Sequence, residues 1–407
     1  MVAHPPDIHL LLEMPGSVLG REALPGLAGA RTHERMLTYY FVIVAVLLLA
    51  AAAQRQDAVG NRFAAEPHAV PPEAYPHSPA ARNTFIVMAA IPTLVAGLRF
   101  RVGTDYGGYY FYWLDYANDF WVSLLQLHEP GYRAIAYLTQ RLGCQTGALA
   151  IFLTSSITIG LGYWTVYRNS PQLFLPGVLF LFLGNWIGSF NAVRQCLAAT
   201  MVFCGYPFLR DKKLWHYAAM VFAGFLCHRS AILMAIPVFF VHKEVNWRNV
   251  FLVLIGSIVV LNSYELLFHL AGEMLDKGYQ NSEEDVYLLQ KVNRLRVLSN
   301  VAPAAFFLWL HFKEKQNYQL SNFALNLLSL NAAISIVGMN SPYFSRYSMY
   351  THPFMALAYP ELCGKLGVNL RKTVITAIIL MYTIMELYEC SGSGSLRHFQ
   401  WIWNAPL

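Results

Sequence analysis

The sequence predicts an all-α, polytopic integral membrane protein of about 12 transmembrane helices with interfacial periplasmic helices, and three observations carry that prediction. Of its 407 residues, 56% are hydrophobic and 13% charged, about half the charged share of an ordinary soluble domain. Mean hydropathy is +0.39. Apolar runs recur from residue 36 to residue 390, and a helix needs about 20 such residues to cross a bilayer. In lipid each backbone polar group must bond within the protein, which makes these runs helices and not open strands.

Taken in order, the candidate spans lie at about 36–53, 84–98, 147–166, 173–190, 195–209, 214–227, 229–241, 248–264, 295–311, 319–339, 346–362 and 373–390. Several are short, and 214–241 also reads as one broken span or a tight helical hairpin. Residues 1–35 hold Pro, Gly and charges of both signs, with no apolar core and cleavage site of a signal peptide. They are expected to be a disordered extension, or sequence upstream of a start at Met36, which opens "MLTYYFVIVAVLLLAAAA". Residues 36–390 then form a single multi-span domain, and 391–407 a C-terminal tail.

The longest polar stretches are 54–83, 99–146 and 265–294. The first, rich in Pro and Ala, reads as an irregular linker. The second opens with "RFRVGTDYGGYYFYWLDYANDFW", whose Tyr and Trp residues favour the headgroup level. Its belt "YYFYW" (109–113) suits either interface anchoring or stacking on sugar faces. The segment "EPGYRAIAYLTQRLG" (129–143) has the period of an amphipathic helix.

Charge excludes some classes and orients the chain. The net charge of +6 comes from scattered cations, so no nucleic-acid partner is expected. Cys196, Cys204 and Cys227 sit in apolar runs, where a thiol behaves as a small hydrophobe, and no pairing for a disulfide or zinc site stands out. Loops with Arg168, Arg210/Lys212/Lys213, Lys243/Arg248, Lys313/Lys315 and Arg371/Lys372 alternate with the rest and read as cytoplasmic. The opposite face holds many arginines, but of the lysines only Lys277 and Lys291 fall there, and both termini become periplasmic.

That orientation gathers the costly polar residues on one face. Arg99, Arg101, Asp105, Glu129, Arg194, His228, Arg229 and Arg346 come from five separate loops. Ionisable groups at span ends mark sites by default. Converging guanidiniums, which stay charged and grip phosphate with two N–H groups, point to an anionic ligand. Each residue also has a plainer role. Asp105 suits a helix cap beside a Gly103 turn, and Glu129 with Pro130 suits a helix start. Arg194 and Arg346 suit snorkelling to headgroups, and His228 a hydrogen-bonded structural position.

The order "RxGTDY", "EPGY", "NxxRQxxA", "HRSA" and "SRY" resembles the EpsG-like branch of Wzy-type bacterial polysaccharide polymerases, from about Met36 to Tyr388. The N-terminal segment and the long 54–83 loop depart from that pattern. The resemblance implies a multi-pass enzyme of the bacterial inner membrane that joins undecaprenyl-diphosphate-linked oligosaccharide repeat units at the periplasmic face. It implies membrane lipids, a chain-length regulator and a flippase as partners. It implies glycosyl transfer with no metal and no cofactor, although an ion between Asp105 and Glu129 stays open. His228, Glu129 and Asp105 are the candidates for the proton acceptor. Arg99, Arg101, Arg194, Arg229 and Arg346 are expected to bind diphosphate or sugar, and the motifs add Tyr106, Tyr132, Gln195 and Tyr347. The alternatives are a lipid-linked glycan ligase, a membrane acyltransferase with His228 on the cytoplasmic side, and a non-enzymatic flippase. A flippase should carry its polar groups at midplane.

Overall fold

The computed structural model describes residues 25–63, 75–262, 293–340, 342–392, 394–397 and 399–404. Among them the fold is all helix, with no strand. Helix α1 (Pro25–Phe63) is followed by α2 (Pro79–Gly97), then by the short α3 (Tyr106–Phe111), α4 (Trp113–Asn118) and α5 (Phe120–Leu125). Next come α6 (Pro130–Arg141), α7 (Ala148–Asn169), α8 (Phe174–Phe180), α9 (Trp186–Asn191), α10 (Val193–Cys204), α11 (Tyr206–Arg210) and α12 (Leu214–Cys227). A 3-10 segment (Arg229–Phe239) leads to α13 (Trp247–Asn262). The chain then continues through α14 (Arg294–Lys313), α15 (Asn322–Val337), α16 (Ser348–Gly364) and α17 (Val368–Gly392).

Six helices among the described residues are long and apolar enough to cross a membrane: Met36–Val59, Pro79–Gly97, Ala148–Asn169, Phe174–Asn191, Arg294–Lys313 and Val368–Ser391. The twelve expected runs are all helical, but the others are shorter. Helix α12 has 14 residues and the 3-10 segment 11, so each arm reaches roughly 20 Å against a hydrocarbon core of about 30 Å. Together they form the hairpin that the sequence left open, closed by the Tyr217 hydroxyl donating to the Met234 carbonyl at 2.8 Å. His228 stands at its turn.

Three boundaries differ from expectation. The 54–83 stretch is not wholly irregular: α1 continues to Phe63 and α2 begins at Pro79. Its end is pinned where the Asp57 carboxylate meets His77 Nδ1 at 2.9 Å and accepts the Ser78 N–H at 2.8 Å. Residues 25–35, expected in the disordered extension, are helical, whereas residues 1–24, the 265–292 stretch and Lys277 and Lys291 lie outside the described residues. The 173–190 run is interrupted by a turn of π-helix (Leu181–Asn185) that kinks at Gly184.

The C-terminal tail is docked. Leu396 and Phe399 are buried, and Tyr39 donates to the Leu396 carbonyl at 2.7 Å. Backbone bonds run from Phe100 N–H to Gln400, Gly103 N–H to Ser395 and Ile402 N–H to Leu98. The tail therefore straps the "RFRVG" segment onto the bundle. Its apolar residues serve the same core as α1, which no local pattern announces.

The core runs through α8, α10 and α16, whose inner faces are buried along most of their length. A second apolar cluster of Phe100, Tyr106, Tyr109, Tyr132 and Ile151 roofs the first turn of α7. At the far end of α7, Arg168 joins Arg210, Glu361 and Lys365 around a cavity of about 620 Å³. Arg168, Arg210 and Lys365 thus share one end of the bundle.

Candidate active site

Glu129 is the centre of the site. It sits at the residue before α6 with φ 51 and ψ 55, a left-handed conformation, and makes no capping bond. A non-glycine residue there costs about 1–3 kcal/mol and persists only where its surroundings hold it. Pro130 starts the helix as its motif implies, but the carboxylate turns away from the helix end. One oxygen pairs with Arg194 Nη1 at 2.6 Å; the other accepts the Arg229 backbone N–H at 2.9 Å. Three distant loops meet on one carboxylate.

Gly131 makes that meeting possible. A Cβ there would lie 2.6 Å from Cys227 Sγ, 2.9 Å from Cys227 Cα and 3.1 Å from the Leu226 carbonyl. Gly131→Ala is expected to lower stability by about 1–3 kcal/mol by forcing α6 off the end of α12. A thermal-shift measurement on purified protein checks this, and Cys227→Ala should rescue little because the backbone contact remains. A Gly131→Ala variant as stable as the parent would refute it.

Arg194 lies in the first turn of α10. Its Nε donates to the Tyr109 hydroxyl at 3.2 Å, and its guanidinium sits 5.7 Å from the Tyr116 ring centre. Glu129 and Tyr109 thus use two of its five N–H donors. Its side chain is 26% exposed, so the group is held yet still reaches the face. The belt tyrosine Tyr109 is therefore a partner of the site, while Phe111 and Tyr112 stay exposed.

His228 closes the group. Its Nδ1 lies 3.9 Å from Glu129 Oε1 and 2.7 Å from Ser230 Oγ, which in turn meets the Tyr350 hydroxyl at 2.8 Å. Burial pushes the imidazole below its usual 6.5; the Glu129 carboxylate opposes this, and Arg194 and Arg346 reinforce it. The ring is neutral at pH 7 and able to accept a proton. Nearby, Arg229 Nη2 meets His128 Nδ1 at 2.7 Å, and Arg133 Nη1 donates to the His128 and Glu129 carbonyls at 2.7 and 3.1 Å.

The other predicted residues divide clearly. Gln195 donates to the Arg346 carbonyl at 3.1 Å and so ties α10 to the turn before α16. Arg346 lines a cavity beside the cluster. Tyr132 is buried and donates to the Tyr109 carbonyl at 3.2 Å. Asp105 accepts from Thr104 at 3.0 Å and makes no capping bond to α3. Tyr347 packs near Phe344. Arg101 is exposed and lies over Phe100 and Phe111. Arg99, expected among the ligand-binding cations, is 1% exposed. Its guanidinium donates to the carbonyls of Ala96, Val102 and Ser189 and to the Ser155 hydroxyl, between Phe190 and Tyr106. It closes the end of α2 instead of facing a ligand.

The family model described as the EpsG family matches residues 82–402. The chain belongs to the EpsG family. That is a family of Wzy-type exopolysaccharide polymerases, so this EpsG-family chain is a polysaccharide-polymerase-type, multi-pass membrane protein. The match takes in all the motifs that built the cluster, from Arg99 to Arg346. No curated protein and no solved structure gives a significant match.

Several residues in or beside the cluster did not stand out as site candidates in the sequence. Tyr109, Ser230 and Tyr350 are ordinary residue types in aromatic or apolar surroundings. Arg296, His352, Glu386 and Glu389 did carry a signal, because ionisable residues inside apolar runs are costly. Attention to span ends alone passed over them.

Proposed function

We propose that this protein joins oligosaccharide repeat units carried on undecaprenyl diphosphate, at the periplasmic face of the bacterial inner membrane. The observation that carries this reading is the Glu129–Arg194–His228 cluster, which places a fixed cation and a neutral base side by side. The six long helices, with the shorter apolar helices packed among them, supply the membrane crossings of this reading.

A hydroxyl of one lipid-linked repeat attacks the anomeric carbon of the chain on a second carrier. The new C–O bond forms as the bond to the diphosphate oxygen breaks, and the diphosphate leaves as an anion. Its charge grows in the transition state, so preorganised cations there lower the barrier. Arg194 and Arg346 meet that charge, with Arg229 and the exposed Arg101 further out. The hydroxyl proton passes to His228 Nε2. Nδ1–H then donates to Ser230 Oγ, and the Glu129 carboxylate balances the charge that the ring gains. Glu129 already holds Arg194 and Arg229, which makes it the orienting carboxylate and leaves His228 the better acceptor.

The test is deletion of the gene, complementation with variants and gel analysis of surface glycan. Deletion should remove long chains and leave single repeat units. His228→Ala at normal protein level should reduce the ladder about a hundred- to ten-thousandfold in yield, the usual contribution of a positioned base. A single transferred unit lost from an otherwise normal ladder would mean a ligase, and glycan trapped inside the cell a transporter; either overturns the proposal.

A further inference from the structure

A second polar chamber opens beside the cluster, and its chemistry differs from that of the first. It has a volume of about 260 Å³ and lies between the kinked π-turn after α8, the start of α14, the start of α16 and the end of α17. Arg346 belongs to its wall and also bears on His228, so the chamber adjoins the proposed reaction centre.

Its other polar groups are an ion pair, a buried carboxyl, an imidazole, amides and hydroxyls. Glu389 pairs with Arg296 at 3.0 Å through Nε, which neutralises that cation. Asn300 Nδ2 lies 3.4 Å from His352 Nε2, and the Asn300 carbonyl accepts from Asn331 and Tyr382, each at 3.1 Å. His352 is held in turn by the Leu183 backbone at the π-turn. Glu386 is 1% exposed and lines this chamber, yet one carboxyl oxygen has no hydrogen-bond partner. A buried carboxyl oxygen without a partner costs about 1–3 kcal/mol or more. It is held in place by α17 packing and points to a ligand that supplies the missing donor.

Diphosphate does not fit this wall. Glu389 neutralises Arg296, and a diphosphate, which carries only acceptors, has no donor for the unmet Glu386 oxygen. A polyol does fit: a hydroxyl donates to the unmet Glu386 oxygen, and the chamber is smaller than typical drug-sized pockets of about 300–1,000 Å³. We propose that this chamber is a monosaccharide subsite, in which Glu386 binds a hydroxyl of the terminal sugar of a repeat unit and presents that sugar to the cluster at Arg346. This rests on the polymerase reading above and adds a residue that selects the sugar. Glu386 here is a binding residue, with no part in proton transfer.

The experiment uses full-length protein in lipid nanodiscs and two probes. One is repeat-unit oligosaccharide released from the host's own carrier by mild acid; the other is the sugar-free lipid diphosphate. Glu386→Gln is expected to weaken oligosaccharide binding about tenfold and leave lipid-diphosphate binding unchanged, with KM for the repeat unit raised more than kcat falls. Arg194→Lys should do the reverse. Should Glu386→Gln fail to fold, Glu386→Asp, which draws the carboxyl back from the chamber, should weaken oligosaccharide binding in the same direction. Equal oligosaccharide binding by parent and either folded variant overturns the subsite. Parent protein that binds both probes without polymerising overturns the polymerase reading instead, and the two failures are separate.

Discussion

Arg194→Lys is expected to abolish the long-chain ladder while the protein accumulates normally, with turnover in liposomes down about a hundred- to a thousandfold. That is the usual loss when one fixed donor to a developing oxyanion is removed. Lysine keeps the positive charge beside Glu129, so the ion pair that steadies α6 against α10 survives. It cannot reproduce the geometry. Arg194 bonds Tyr109 through Nε at 3.2 Å and Glu129 through Nη1 at 2.6 Å, which leaves the Nη2 donors and the second Nη1 donor for a ligand. An ammonium is a point charge with rotating donors and has no second edge to offer. The same change at Arg346 should cost less, since its partner network differs and its backbone carbonyl, not its side chain, holds Gln195. If Arg194→Lys and Arg346→Lys both leave polymer length and yield intact, the diphosphate clamp is wrong.

Glu129→Gln is expected to cost both stability and rate, and to move the pH profile in a direction that identifies its role. A glutamine carbonyl can still accept the Arg229 N–H, but the Arg194 pair is lost. The two side chains are 26% and 11% exposed, so screening limits the loss to about 2 kcal/mol. In the parent protein, burial lowers the His228 pKa and the Glu129 carboxylate partly offsets that shift. The working form of His228 is neutral, so activity should be present at pH 7 and fall only as pH drops through a value below 6.5. Stability has the same sign: the unfolded chain binds the proton more readily, so the His228 contribution is present above pH 6.5 and fades on acidification. Removing the Glu129 charge removes its upward pull. The acid limb should therefore move to lower pH in Glu129→Gln, even as the maximum rate falls. A limb that moves upward, or that vanishes in Glu129→Gln yet persists in His228→Ala, would make Glu129 the proton acceptor.

The strained backbone at Glu129 fits a shared role in binding and orientation. A residue with φ 51 is kept there because its side chain satisfies two loops, one 65 and one 100 residues away in sequence. The plainer reading of Glu129 as a helix-dipole residue accounts for Pro130 but not for where the carboxylate goes. In the same way, His228 stands at the start of the 3-10 segment, where Nδ1 meets Ser230 Oγ at 2.7 Å, and is the base of the proposed reaction. Structural and chemical roles coincide in one side chain.

The sequence by itself determined the helical character, the apolar runs and the residue types of the cluster, because hydropathy and helical period are local properties of a few turns. It also placed Glu129, Arg194 and His228 in motifs that all fall within the residues matched by the family. Tertiary structure alone decided which cation serves which purpose. Arg99 and Arg194 read alike as exposed-end arginines, yet packing buries one among backbone carbonyls and leaves the other on a carboxylate. It also decided that residues 394–404 close over residues 98–103, that α1 runs on to Phe63, and that Glu386 faces a chamber with one oxygen unmet. Those outcomes depend on which surfaces exclude water together, across separations that no local pattern encodes.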